Sequence, residues 1–158
     1  MIALRQIADF IRSIRIGRRF GEVSRAPLKL LRFQVQAERV ELEWLARPSD
    51  TWDETLPRPI REQNFSFQAL QDAIALREML FELLPETNEA EFRAFRQSAC
   101  GGPQLIIFGT VNREAPYVLR VTSPAMRAKL YGFNFQLQEG VLGPLEMDES
   151  DLHRMISK

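Results

Sequence analysis

Over residues 2–16, apolar positions recur at helical spacing. Leu4, Ile7, Ala8, Ile11 and Ile14 fall on one arc of a helix of about 3.6 residues per turn, and Arg5, Asp9 and Arg12 lie opposite or flank it. This predicts an amphipathic helix, with Gly17 and Gly21 following as its stop. From Leu30 the period drops to two: Phe33, Val35 and Ala37 alternate with polar neighbours, and after Arg39 the apolar positions shift to Val40, Leu42 and Trp44. A slip of one residue reverses the buried face, so the chain must turn or bulge near Ala37–Arg39. We read a hairpin of residues 31–36 and 40–46. Because its turn has neither Gly nor Asn, a bulged single strand is the second reading.

Beyond Glu62, Phe67, Leu70, Ala73, Ile74, Leu80 and Leu83 return to helical spacing, with Ser66 placed as N-cap and Pro85 as stop. Thr87 or Asn88 then caps a shorter helix, EAEFRAFRQSA, ended by Gly101-Gly102-Pro103. The β-branched and apolar runs QLIIFGTV and YVLRVTS, joined by the polar segment from Asn112 to Pro116, read as a second hairpin. In KLYGFNFQLQE, Tyr131, Phe133, Phe135 and Leu137 alternate as a fifth strand, with a helical turn opened by Ser123-Pro124 as the alternative just before it. The tail MDESDLHRMISK, acidic first and ending in Lys, suits a final helix and its dipole.

The expected fold is therefore α+β: an antiparallel sheet of about five strands (two, then three), with helices packed on one face and helices at both termini. The chain of 158 residues reads as a single domain, 1–158, with an amphipathic basic helix over 1–20 and a long charged loop over 47–64. The order of elements resembles that of small sensor and adaptor domains of the PAS-like and roadblock-like kinds. The resemblance lies in element order alone, with no motif of either family in the residues.

Composition narrows the function classes. The longest clearly apolar run, Leu105 to Phe108, is far below the roughly 20 residues of a spanning helix, and charges at Arg5, Asp9, Arg12 and Arg15 break up any secretory apolar region. A cytoplasmic protein is expected. With one cysteine, Cys100, and one histidine, His153, the sequence offers neither a disulfide nor a multi-His or multi-Cys metal site, and no cofactor or catalytic constellation is read from it. Zero formal net charge conceals an asymmetry: residues 1–32 carry eight Lys/Arg against two acids (+6), the remainder thirteen against nineteen (−6). A basic head on an acidic body favours docking within the molecule or on a second copy, and disfavours nucleic acid.

Two regions offer candidate sites. Between Trp44 and Glu62, Asp50, Asp53 and Glu54 could meet a hard cation, and Arg47, Arg58 and Arg61 could clamp a phosphate or carboxylate. The plain structural reading competes with this, because Thr51 to Glu54 fits a capping box bounded by Pro48 before it and by Pro57 and Pro59 after it. In the N-terminal helix, Arg5, Arg12, Arg15, Arg18 and Arg19 could face a partner, a second copy or an anionic membrane surface. Phe133, Phe135 and Tyr131 read as core rather than as a stacking platform. The favoured expectation is a non-enzymatic interaction or sensor-type module that associates with a protein or with itself. The alternatives are a small-ligand or metal-dependent binder or enzyme using the Asp50–Glu54 loop, and a membrane-surface adaptor.

Overall fold

The computed structural model describes residues 4–16, 28–37, 39–49, 51–99, 101–114 and 121–145. Helix α1 (Leu4–Ile16) is followed by strands β1 (Lys29–Gln36) and β2 (Arg39–Leu45), a 3-10 turn (Thr51–Thr55) and the long helix α2 (Arg58–Leu83). Strands β3 (Glu89–Arg96) and β4 (Gln104–Asn112), helix α3 (Pro124–Tyr131) and the two-residue strands β5 (Leu137–Gln138) and β6 (Val141–Leu142) complete the order. The fold is α+β, with a four-stranded sheet in the order β1-β2-β3-β4 and a small β5–β6 ribbon.

The first hairpin forms as the slipped alternation predicts, pairing Phe33 with Leu42 and Val35 with Val40, with Ala37 in the turn at φ 52°. The sheet is mixed, in contrast to the antiparallel expectation: β2 and β3 run parallel, Leu42 beside Phe92, and α2 makes the crossover between them. Parallel neighbours need such a crossover, whereas β1–β2 and β3–β4 close through short connections.

Four expectations are corrected here. EAEFRAFR is the central strand β3, not a helix: Ala90, Phe92 and Ala94 are buried while Glu91 and Arg93 face the other way. Its residues favour helices intrinsically, and parallel pairing with β2 outweighs that preference. Gly101 and Gly102 accordingly lie in the β3–β4 connection rather than at a helix end. The helix expected with Ser66 as N-cap begins nine residues earlier, with Pro57 as N-cap and Pro59 in the first turn, where a missing N–H costs nothing. Finally, β4 pairs with β3 rather than with YVLRVTS, of which residues 117–120 lie outside the described residues. Of the stretch read as a fifth strand, only residues 129–131 belong to α3, the helix that Ser123-Pro124 opens in the alternative reading; it is capped by Ser123, whose hydroxyl accepts from Met126 N–H, and by Gly132 at φ 106°. Beyond Gly132, Asn134 exchanges both backbone hydrogen bonds with Phe108 at 3.0 and 2.6 Å, and Leu137–Gln138 form β5.

The core lies between the sheet and the helices. Trp44 meets Phe92 edge-on at 5.6 Å, Phe92 stacks on Phe133 at 5.7 Å, and Phe10 of α1 contacts Phe33 at 5.4 Å. Both α1 and α3 pack on α2. Phe10 and Ile14 anchor α1, while Leu4 stays 84% exposed. Gly109 lets the chain after α3 approach β4, since a Cβ there would collide with the Gly132 carbonyl. On the opposite face of the sheet, charges compensate one another across strands: Arg32 lies 3.3 Å from Glu41, Arg39 3.0 Å from Glu91, and Arg93 3.7 Å from Glu43. No helix among the described residues is long and apolar enough to cross a membrane. The expected C-terminal helix, with His153, lies outside the described residues, as do Cys100, Arg18 and Arg19.

Candidate functional site

A cleft of about 950 Å³ opens where β2 and β3 end. Side chains beyond the carboxyl ends of parallel strands are free of sheet pairing, so ligands of open α/β sheets commonly bind there. Here the two strands stay together one step further, Ala46 N–H donating to Phe95 O at 2.8 Å, before they diverge. Ala46, Pro48 and Ser49 then form one wall and Gln97 to Ala99 another. The first turns of α2 add Arg58, Arg61, Glu62 and Phe65, and the ribbon adds Gln138, Glu139, Val141 and Leu142.

The ribbon wall is held firmly. Glu139 and Gly140 take φ of 54° and 78°, the left-handed pair that a two-residue hairpin turn demands. Leu142 N–H donates to Ser66 Oγ at 2.8 Å, Gln63 donates to Glu139 O at 2.9 Å, and Arg96 donates to Leu142 O at 2.8 Å. Ser66, expected as a helix cap, is thus a buried mid-helix anchor for the ribbon.

Between Ala46 and Pro48 of the cleft wall, Arg47 enters a buried ion pair. Arg47 donates through Nε and Nη2 to the two carboxylate oxygens of Asp72, both at 2.8 Å, with the side chains 3% and 1% exposed. Burial pushes Asp72 up to about 6 from its usual 3.8, against the downward pull of Arg47. Arg47, expected as a ligand clamp, is therefore a structural residue turned away from the cleft.

The remaining candidates separate. Asp53 and Glu54 sit on the 3-10 turn and do not line the cleft, so the structure does not bring them together with the arginines there. Asp50 lies outside the described residues. No group of three His, Cys, Asp or Glu suited to a metal ion occurs among the described residues. Arg58 is 81% exposed and pairs with Glu62 at 3.0 Å. Arg61 is half-buried in the cleft wall, and its Nε is shielded from water with no hydrogen-bond partner among the described residues. In α1, Arg5 and Arg12 are exposed, Arg12 lying 3.6 Å from Asp9. The Arg15 side chain lies outside what is described.

Arg96, Phe65 and the ribbon were not foreseen as part of a site. Arg96 was hidden because its segment reads as a helix. The one available signal for the ribbon was Glu139-Gly140 between Leu137 and Val141-Leu142, a short turn flanked by apolar residues. No known protein family, curated protein or solved structure matches the chain.

Proposed function

We propose that the protein is a non-enzymatic, sensor-type module that takes a small ligand in the cleft at the ends of β2 and β3. The observation that carries this reading is Arg61, a residue of the cleft wall whose side chain makes no hydrogen bond or ion pair among the described residues. Two of the arginines expected to bind an anion, Arg58 and Arg61, line this cleft, so the reading keeps part of the charged loop and drops its carboxylates.

Thermal unfolding of the full chain against a panel of anionic metabolites tests it, alongside Ala99→Trp, which fills the cleft mouth from an exposed rim position. A saturating ligand at 100 times its Kd adds about 2.7 kcal/mol. The expected result is a midpoint shift of several degrees that Ala99→Trp abolishes. A shift that survives this substitution places the ligand elsewhere and defeats the reading.

A second reading, self-association through α1, draws on one observation: Leu4 stands exposed beside exposed Arg5. Sedimentation checks it, because a monomer at all concentrations, or a dimer unchanged by Leu4→Glu, removes it.

A further inference from the structure

Charge and shape in the cleft narrow the ligand class, and the argument rests on the cleft being the ligand site. Among the described lining residues are three arginines, Arg58, Arg61 and Arg96, and two glutamates, Glu62 and Glu139, a net charge of +1. Arg58 is already compensated by Glu62. Arg96 is oriented by Leu142 O and by Gln104 Oε1 at 3.0 Å. Of the three, Arg61 alone makes no side-chain hydrogen bond or ion pair among the described residues, and since its Nε is shielded, its two terminal nitrogens are the donors it offers.

The usual phosphate cradle is missing. Ile60 and Arg61 N–H both donate to Pro57 O at 3.1 Å, and Pro59 has no N–H, so the first turn of α2 has little backbone left for an anion. A nucleotide, with two or more phosphate charges, would meet a single unit of excess positive charge and few amides. A carboxylate needs less: one planar fork with two parallel donors, which arginine supplies. The cleft is also much larger than a carboxylate, and Leu45, Phe65, Val141 and Leu142 give the remainder apolar walls.

We infer that the ligand is a small monocarboxylate with an apolar body, its carboxylate held by Arg61 and its body by Phe65, Val141 and Leu142.

Isothermal titration of the full chain with octanoate, 1-octanol and AMP tests this, using the native chain, Arg61→Gln, Arg61→Lys and Ala99→Trp. Octanoate is expected to bind at least tenfold more tightly than octanol, and AMP to give no signal. Arg61→Gln should weaken octanoate about tenfold or more and leave octanol unchanged. Arg61→Lys, which retains charge without the fork, should fall between, and it also serves if Arg61→Gln fails to fold. Ala99→Trp should abolish octanoate binding.

If AMP binds more tightly than octanoate, and Ala99→Trp abolishes it, the cleft stands as the site and the carboxylate class falls. An octanoate-to-octanol preference that neither Arg61 variant changes also overturns the inference. Octanoate binding that Ala99→Trp leaves intact, or no binding of any probe, defeats the cleft reading together with the inference.

Discussion

At the C-terminal end of α2, Arg113 donates to the carbonyls of Phe81, Leu84, Pro85 and Thr87, and its guanidinium lies 5.1 Å from the Phe81 ring centroid. Nearby, Arg77 donates to Asn112 O at 2.7 Å and to Arg113 O at 3.0 Å and sits 4.0 Å from the Tyr131 ring. Burial pushes the Arg77 guanidinium below its ordinary value, and the adjacent Arg113 adds to this while Tyr131 and Glu78 oppose it. At the N-terminal end of the same helix, Arg61 lines the cleft and its side chain makes no hydrogen bond or ion pair among the described residues, although its Nε and that of Arg77 are alike shielded and unpartnered. The helix dipole accounts for the asymmetry. Cations at the C-terminus meet both favourable charge and free carbonyls, whereas a cation at the N-terminus meets neither and must find its partner elsewhere.

That contrast can be broken or sharpened by substitution. The largest effect should come from Arg47→Met, which leaves Asp72 buried without its partner and should cost about 3–5 kcal/mol at pH 7 by chemical denaturation. The loss should shrink at pH 5, where Asp72 escapes by taking up a proton. Arg113→Met should follow at about 2–3 kcal/mol, because several carbonyls at the end of α2 lose a charged donor together.

A smaller effect concerns pH alone. Asp72 titrates near 6 in the folded chain against 3.8 otherwise, so the folded state holds its proton more tightly across that window. This group's contribution to stability is full below pH 4, declines as pH rises from about 4 to about 6, and is flat above. Denaturation midpoints of the native chain relative to Asp72→Asn, measured from pH 4 to 7, should show this slope. An opposite slope would mean that Arg47 outweighs burial.

The smallest effect on stability is expected from Arg61→Gln, within about 0.5 kcal/mol of the native chain, as for an ordinary half-exposed position. A loss comparable to that of Arg113→Met would show that Arg61 also serves the fold, and the contrast between the two ends of α2 would disappear.

The sequence by itself determined those elements whose pattern is local. The period-3.6 stripe of α1, the odd-to-even slip that makes β1 and β2 a hairpin, and the burial of Phe133 and Phe135 were all legible, since each depends on neighbours a few residues apart. Arg58 and Arg61 stood out as candidates for binding an anion because arginine chemistry is visible without coordinates, and the structure places both in the cleft wall. Tertiary structure decided the rest. EAEFRAFR carries Phe92 and Phe95 three apart and Ala90 and Ala94 four apart, a spacing that suits a helix as well as a strand, and only the parallel neighbour β2 selects the strand. Pro57 and Pro59 can end one element or begin another, and the choice fell to where α2 must start in order to cross from β2 to β3. The cleft depends on that crossover. Its walls come from four segments spread between Leu45 and Pro144, and no local pattern records that they meet. The same holds for Arg47, whose place inside the fold follows from Asp72, twenty-five residues away on a helix that the parallel pairing sets over it.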